Sequence, residues 1–444
     1  MDSLQVICTL LYVLDLALLT TYVVYVFRKY GYIISLFNVG LFQFYVTILI
    51  SPIYFFSNES WAALLIESAD LMRPFLLQSM LINYGGTAIF MAVLLVCVWR
   101  LGDRWSTGAL SRRIADGIDS RVAAVLIVLA AAAFTYLCYR YNGMFPLFNK
   151  GRAFYLNKSF SPIYLLVCEV LSLLGLYEGL RFVAQRKGLV WFLLCDACLF
   201  LTGNRGTVLL QVILPVVLYG IYVHGLKKDG VKGLKRQTWT VLVVLIVTMA
   251  GGLALQTIRG GKGVGGLQAY ANEIVYGNTF CDVRDGAYLL KGQHELLHDE
   301  LVYGKTYAAG LISFVPSSMS SFRTEWSWGR FSSQKLSHWK NHFGFRGGNF
   351  LEAYLHFGIV GIVVSAVLMA LILAWQEQLF RDVFLRGYES VTGKEILICS
   401  LLGQLSSFIS CSAGAYNGYA TVGIIVVLWV SSKVLWMVSP RRDE

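Results

Sequence analysis

The stretch Arg346-Gly347-Gly348-Asn349-Phe350-Leu351-Glu352-Ala353-Tyr354-Leu355-His356-Phe357-Gly358 runs straight into Ile359-Val360-Gly361-Ile362-Val363-Val364-Ser365-Ala366-Val367-Leu368-Met369. A polar segment ends here and an apolar run of membrane-span length begins. Asn349, Glu352 and His356 stand at i, i+3 and i+7, so a helix would place them on one face. An acid and a histidine in the first turns of a span face a cavity or a partner in preference to lipid. The helix N-terminus also favours negative charge at Glu352. Gly358 and Gly361 would let another helix pack closely.

Upstream lies residues 258–348, the one long polar segment in the chain. It holds ten Lys and Arg residues, seven acids and four of the six His. Hydrophobic runs lead into it and out of it. The chain as a whole has 444 residues, of which 57% are hydrophobic and 14% charged. Soluble proteins carry about 25% charged residues. This deficit, with the long apolar runs, predicts an all-α polytopic membrane protein. Eleven spans are expected, near 4–27, 31–56, 75–99, 122–140, 162–180, 188–203, 207–225, 238–257, 349–374, 396–412 and 418–437. The organisation is then a membrane region over 1–257, a large loop over 258–348 and a second membrane region over 349–444.

Net charge is +11, but most of it falls in short loops between apolar runs. That distribution writes orientation and argues against nucleic acid as a partner. Twenty cations, from Arg28 and Lys29 to Arg441 and Arg442, share one side, which is therefore cytoplasmic. Arg381 and Arg386 are counted among them. The loops 57–74, 141–161 and 258–348 are then extracytoplasmic. The N-terminal run 4–27 has no preceding cation and no small-residue cleavage pattern, so it reads as a retained span. Nine cysteines are present, eight in or near apolar runs. Cys195 and Cys198 form a C-x-x-C inside a span and read as small buried residues.

Several residues could carry chemistry. Arg205 lies in Gly203-Asn204-Arg205-Gly206, a tight turn between two spans, where a fixed cation suits an anion; its plain alternative is snorkelling to headgroups. Arg259 ends a span and opens a glycine-rich run. That run holds a G-x-G-x-x-G from Gly261 to Gly266. It follows a membrane helix and not a strand, so it reads as a hinge or an anion-binding nest, not a dinucleotide site. Arg152, with Lys150 and Lys158 near Tyr155, forms a second basic set for phosphate or headgroups. Residues 301–316, including Lys305, are too short to span and suit an interfacial or re-entrant helix. Arg323 follows, with Trp326, Trp328 and Arg330. Aromatics beside cations suit sugar stacking and phosphate pairing, or an interfacial belt.

His294-Glu295-Leu296-Leu297-His298 matches H-E-x-x-H, a zinc pattern if a helix puts both His on one face and His338 or His342 supplies a third ligand. Its acid-rich surroundings are those of a solvated helix, and no metal is expected. Asp15, Glu169, Glu178 and Asp196 are charges inside spans. There is no D-x-D, no Walker motif and no G-x-S-x-G.

These features together resemble the O-antigen polymerases, the Wzy-type oligosaccharide repeat-unit polymerases. The resemblance rests on the layout, on Gly203-Asn204-Arg205-Gly206, and on Tyr303-Gly304-Lys305-Thr306-Tyr307 with Phe314-Val315-Pro316. It also rests on Gly347-Gly348-Asn349-Phe350-Leu351-Glu352-Ala353-Tyr354 with Phe357-Gly358 and Gly361. It covers about residues 200–365. The related O-antigen ligases share the layout, but a His is expected in them just before the last glycines, where this chain has Arg346.

The resemblance implies a metal-independent glycosyltransferase of the C type, without cofactor, in the bacterial inner membrane. The donor would be a glycan on undecaprenyl diphosphate, and the acceptor a new repeat unit on the same lipid. Membrane lipid and a chain-length regulator protein are the partners to be expected. Arg205, Arg259, Arg323, Arg346, Asn349, Arg152 and Lys305 would bind diphosphate or glycan. Glu352, or less readily His356, would take the acceptor proton. A ligase, a repeat-unit flippase or transporter, and a membrane metalloprotease are the rival readings.

Overall fold

The computed structural model describes residues 3–35, 49–52, 68–100, 120–148, 161–202, 208, 212–259, 281–312, 315, 318–337, 344–385, 395 and 418–438. Every secondary-structure element among them is helical. In chain order they are α1 (Ser3–Tyr30), α2 (Ala69–Arg100), α3 (Ser120–Asn142), α4 (Ser161–Gln185) and α5 (Leu189–Leu201), then α6 (Leu214–Arg259) and α7 (Asp282–Leu297). The short α8 (Lys305–Leu311) and α9 (Ser321–Trp326) precede α10 (Gly348–Leu379) and α11 (Gly418–Val438).

Among the described residues, five stretches are long and apolar enough to cross a membrane: Ser3–Tyr30, Asp70–Arg100, Arg121–Tyr141, Ile163–Gln185 and Gly348–Val383. At 1.5 Å per residue each covers about 30 Å of hydrocarbon or more. Their outer faces stay apolar, with Leu10, Val13, Val125, Leu129, Ile359 and Val360 all exposed. Such bare apolar surface on many helices suits lipid and not water. The protein is a helical membrane protein. The expected spans 31–56 and 396–412 fall largely or wholly outside the described residues.

Two of the long helices double back. In α6, Asp229 and Gly230 leave helical geometry, with Gly230 at φ +58°. Gly225 and Gly233 then lie backbone to backbone, close enough that a Cβ on either would strike the other. A continuous helix would hold them about 12 Å apart. So 214–228 and 231–259 form an antiparallel hairpin.

The second reversal was not foreseen. In α10, Gly358 has φ +62° and ψ −147°, a conformation open in practice to glycine alone. Beyond it, Gly361 packs directly on the Ala353 carbonyl, and the Asn349 amide nitrogen lies 3.6 Å from Met369 Sδ. In a straight helix those two residues would be about 30 Å apart. Segment α10a (348–357) and segment α10b (359–379) are thus antiparallel neighbours. The expected span 349–374 is a short helix, a turn, and then a span that begins at Ile359.

Helix α2 is the post against which both halves of the site are built. Phe350 of α10a fills the space at Gly86, where any Cβ would collide with its ring. Gln78 Nε2 donates to Tyr354 Oη at 3.2 Å. Ser79 Oγ donates to the Val283 carbonyl of α7 at 2.8 Å, and Gly286 packs on Ser79. Gly348 faces Asn83 and Asp282. Helices α7 and α10a therefore both start at mid-length on α2 and run toward its N-terminal end, where His294 meets Phe75. Ten residues of α7 between Val283 and Gln293 are buried. The polar segment is not wholly separate from the apolar helices. Part of it is wedged against the flank of a spanning helix.

Candidate functional site

The reversal at Gly358 sets up the site. It ends α10a at Phe357 and withdraws the N–H donors that a continuing helix would supply to the last carbonyls. The polar segment supplies them instead. Val302 N–H donates to the Leu355 carbonyl at 3.0 Å, and Tyr303 N–H to the His356 carbonyl at 3.2 Å. The backbone at Tyr303 is left-handed, at φ +49°, a strained geometry for a tyrosine that the site holds in place. A third N–H, that of Gly304, donates to His356 Nδ1 at 2.9 Å.

That bond decides the protonation of the imidazole. A ring nitrogen that accepts from an amide carries no proton, so in neutral His356 the proton is on Nε2. Nε2 in turn contacts Thr306 Oγ1. Thr306 Oγ1 donates its own hydrogen to Glu352 Oε1 at 2.6 Å. The order is Gly304 N–H to His356, His356 N–H to Thr306, Thr306 O–H to Glu352. All three side chains are buried, and the ring of Tyr307 packs on the imidazole with centroids 4.6 Å apart. Glu352 Oε2 lies at the end of the chain, buried and without a hydrogen-bond partner. An unpaired carboxylate oxygen in such a place costs several kcal/mol unless another group comes to it.

Cations stand on the neighbouring short helices. Lys305 precedes Thr306 and extends its exposed ammonium over the Trp326 ring, 4.5 Å from the centroid. Lys335 covers the same ring at 3.8 Å and pairs with Glu325 at 2.5 Å. Two ammonium groups on one indole form a cationic platform of the kind that suits a polyanion. Arg323 caps this unit. Its guanidinium donates to the Val315 carbonyl, and partial burial pulls its pKa below the usual arginine value. Trp328 is not available for stacking. It is a core residue whose Nε1–H donates to the Phe345 carbonyl at 2.9 Å.

Asn349 lies under one turn, about 4.5 Å along the axis, before Glu352. Arg346, six residues before Glu352 and ten before His356, belongs to a second polar cluster at the other end of α10a. There the Arg346 backbone N–H donates to Asp285 Oδ2 at 3.1 Å. Arg284 holds Asp285 Oδ1 through Nε at 3.0 Å and Nη2 at 2.8 Å. Asp282 opens α7 beside them. Burial pushes its carboxyl up to about 6, Arg346 opposes the shift and Asp285 adds to it.

Of the residues expected to act, the structure brings Glu352 and His356 together and places Lys305 next in sequence to the Thr306 that joins them, while Arg323 on α9 turns its guanidinium to the Val315 carbonyl. Arg346 stands apart, and Asn349, one turn before Glu352, turns its side-chain amide to Met369. Arg205 and Arg152 lie outside the described residues, and Arg259 is placed only as the backbone end of α6. The H-E-x-x-H pattern breaks up. His298 sits at φ +51° as the cap that ends α7, so it leaves the face of His294, whose Nδ1 lies 2.9 Å from Asp299. No group of three or more His, Cys, Asp or Glu suited to a metal is found among the described residues. Glu178 is paired with Arg181 at 3.3 Å.

Sequence reasoning missed Thr306, Lys335, Arg284 and Glu377. Thr306 stands inside a motif that carried the resemblance, but a threonine near apolar residues has no signal of its own. Glu377 looks like the end of a span. It is fully buried and accepts from Tyr32 Oη at 2.8 Å and from Ser35 Oγ. Arg381, counted as a loop cation, is buried one turn further on and lies over the Tyr30 ring at 4.1 Å.

Comparison with known proteins gives no match among family models, curated proteins or solved structures.

Proposed function

We propose that this protein is an oligosaccharide repeat-unit polymerase, a metal-independent glycosyltransferase of the bacterial inner membrane with about eleven spans. The observation that carries the reading is the buried, unpaired Glu352 Oε2 within a half-helix that doubles back at Gly358, with cations on the adjoining short helices. Discontinuous helices that end in a polar site are where membrane proteins act on polar substrates. The cation count places the polar segment on the extracytoplasmic side. Nucleotide-sugar donors are not met there, so a donor already carried across on undecaprenyl diphosphate fits.

In the reaction, the acceptor sugar hydroxyl attacks the anomeric carbon of the lipid-linked glycan. A C–O bond forms to that carbon, and its bond to the lipid diphosphate breaks with the electron pair leaving on the diphosphate oxygen. The acceptor proton passes to Glu352 Oε2. Lys305 and Arg323, together with Arg205 and Arg259, stabilise the departing diphosphate. A sealed site keeps out water, since hydrolysis would end the chain. The product is O-antigen or a related surface polysaccharide, with a chain-length regulator as protein partner.

The test is the size of the surface glycan in a deletion strain carrying Glu352→Gln or Arg205→Ala. Single repeat units on the outer surface are expected from both variants. Full chain length from Glu352→Gln would remove Glu352 as base, and full activity from Arg205→Ala would sink the diphosphate clamp. A ligase would instead leave uncapped lipid core, and a flippase would leave repeat units on the cytoplasmic leaflet.

A further inference from the structure

We infer that His356 and Thr306 are positioning residues that hold Glu352 by its Oε1 and so aim its Oε2 at the acceptor hydroxyl. The inference deepens the polymerase reading and rests on it. A carboxylate at the end of a three-bond side chain has many orientations, and only one oxygen can be held while the other stays open. Thr306 holds Oε1 at 2.6 Å. A threonine hydroxyl has one hydrogen to give, so its rotor must be set by a donor on its other side. His356 Nε2–H is that donor. The imidazole is set in turn by the Gly304 N–H at Nδ1, 2.9 Å away, and by the Tyr307 ring. The reference point of the relay is therefore backbone, the Tyr303–Gly304 turn stapled to the open carbonyls of α10a.

The direction of the relay excludes His356 as the proton acceptor. Its Nδ1 is occupied by a backbone donor and its Nε2 already carries a hydrogen. A base must have a free lone pair, and Glu352 Oε2 is the one polar atom of the three side chains left without a hydrogen-bond partner. The proton lost by the acceptor hydroxyl stays on Oε2 until it is released to water with the product. No proton needs to travel through Thr306 to His356.

The experiment uses the full-length protein in membranes, with lipid-linked repeat units extracted from the deletion strain as substrate. His356→Asn keeps an acceptor for the Gly304 N–H and a donor for Thr306, and Thr306→Ser keeps the hydroxyl. Both are expected to retain kcat within about threefold. His356→Ala and Thr306→Val are expected to lose about 10- to 100-fold in kcat with KM unchanged, since a misaimed base slows chemistry and not binding. If His356 is itself the base, His356→Asn falls as far as His356→Ala, and the inference is overturned. Wild-type kcat in His356→Ala and Thr306→Val overturns it too. Undiminished polymerisation by Glu352→Gln is a different result, which removes the polymerase assignment of Glu352 and not merely its positioning.

Discussion

The side-chain amide of Asn349 touches Met369 Sδ at 3.6 Å, across 20 residues of what the sequence presents as one helix. The contact exists because the chain reverses at Gly358. That reversal converts the first part of an expected span into a re-entrant half-helix that presents Glu352 and His356 to the polar segment. The geometry depends on glycine at two points for different reasons. Gly358 needs a positive φ, and Gly361 needs the absence of a Cβ against the Ala353 carbonyl.

Gly358→Ala should therefore strain the turn by about 1–3 kcal/mol and lower the melting temperature. Gly361→Val should cost more, because its side chain meets backbone that cannot yield. Thermal unfolding in detergent, read beside glycan length, checks both. Unchanged stability in Gly361→Val would mean that α10a and α10b do not pack as described.

The base role proposed for Glu352 predicts a loss of about 10²–10⁴ in turnover for Glu352→Gln. The isosteric amide keeps a bond with Thr306 and removes only the basicity of Oε2. Stability should change little, which separates this variant from one that unfolds. Initial rates on lipid-linked repeat units give the answer.

Asp282 makes stability depend on pH. Its folded pKa, about 6, is above the ordinary value of 3.8, so the folded state binds the proton more tightly than the unfolded state does. The resulting stabilisation is complete below about pH 4 and is lost as pH rises through about 6. Melting temperatures measured from pH 4 to 7 should show this decline in the wild type and a flatter curve in Asp282→Asn. Equal slopes would show that the carboxyl is not held as the structure has it.

At the opposite end of α10b, Glu377→Ala should be severely destabilising. The change strips the partner from Tyr32 and Ser35 and leaves Arg381 buried beside them without a neighbouring anion. Breaking a buried charge set on one side costs about 3–5 kcal/mol. The double variant Glu377→Ala/Arg381→Met should recover part of that loss. A double variant less stable than the single one would argue that Arg381 acts independently of Glu377.

Trp328→Phe separates core from sugar surface. It should cost about 1 kcal/mol, the worth of one hydrogen bond, and leave glycan length unaltered. Shortened glycan with intact stability would return Trp328 to the substrate.

The sequence by itself determined the class of the protein and the neighbourhood of the candidate site. Apolar runs of span length make helices in lipid because no other structure satisfies the backbone there. An acid and a histidine at helical spacing in such a run are too costly to face lipid, so Glu352 and His356 could be singled out without coordinates. Lys305, whose neighbour completes the candidate site, was reached instead through the short 301–316 segment and the resemblance.

Tertiary structure decided what local pattern cannot encode. Periodicity does not tell one 30-residue helix from two that fold back on each other, because both bury the same residue types. The reversal at Gly358 follows from packing between Ala353 and Gly361. The role of Thr306 follows from a contact across 46 residues of chain. The burial of Glu377 and Arg381 likewise follows from Tyr32 and Ser35, more than 300 positions away. Hydropathy reads a residue's cost in lipid, and only the folded chain shows which partner offsets it.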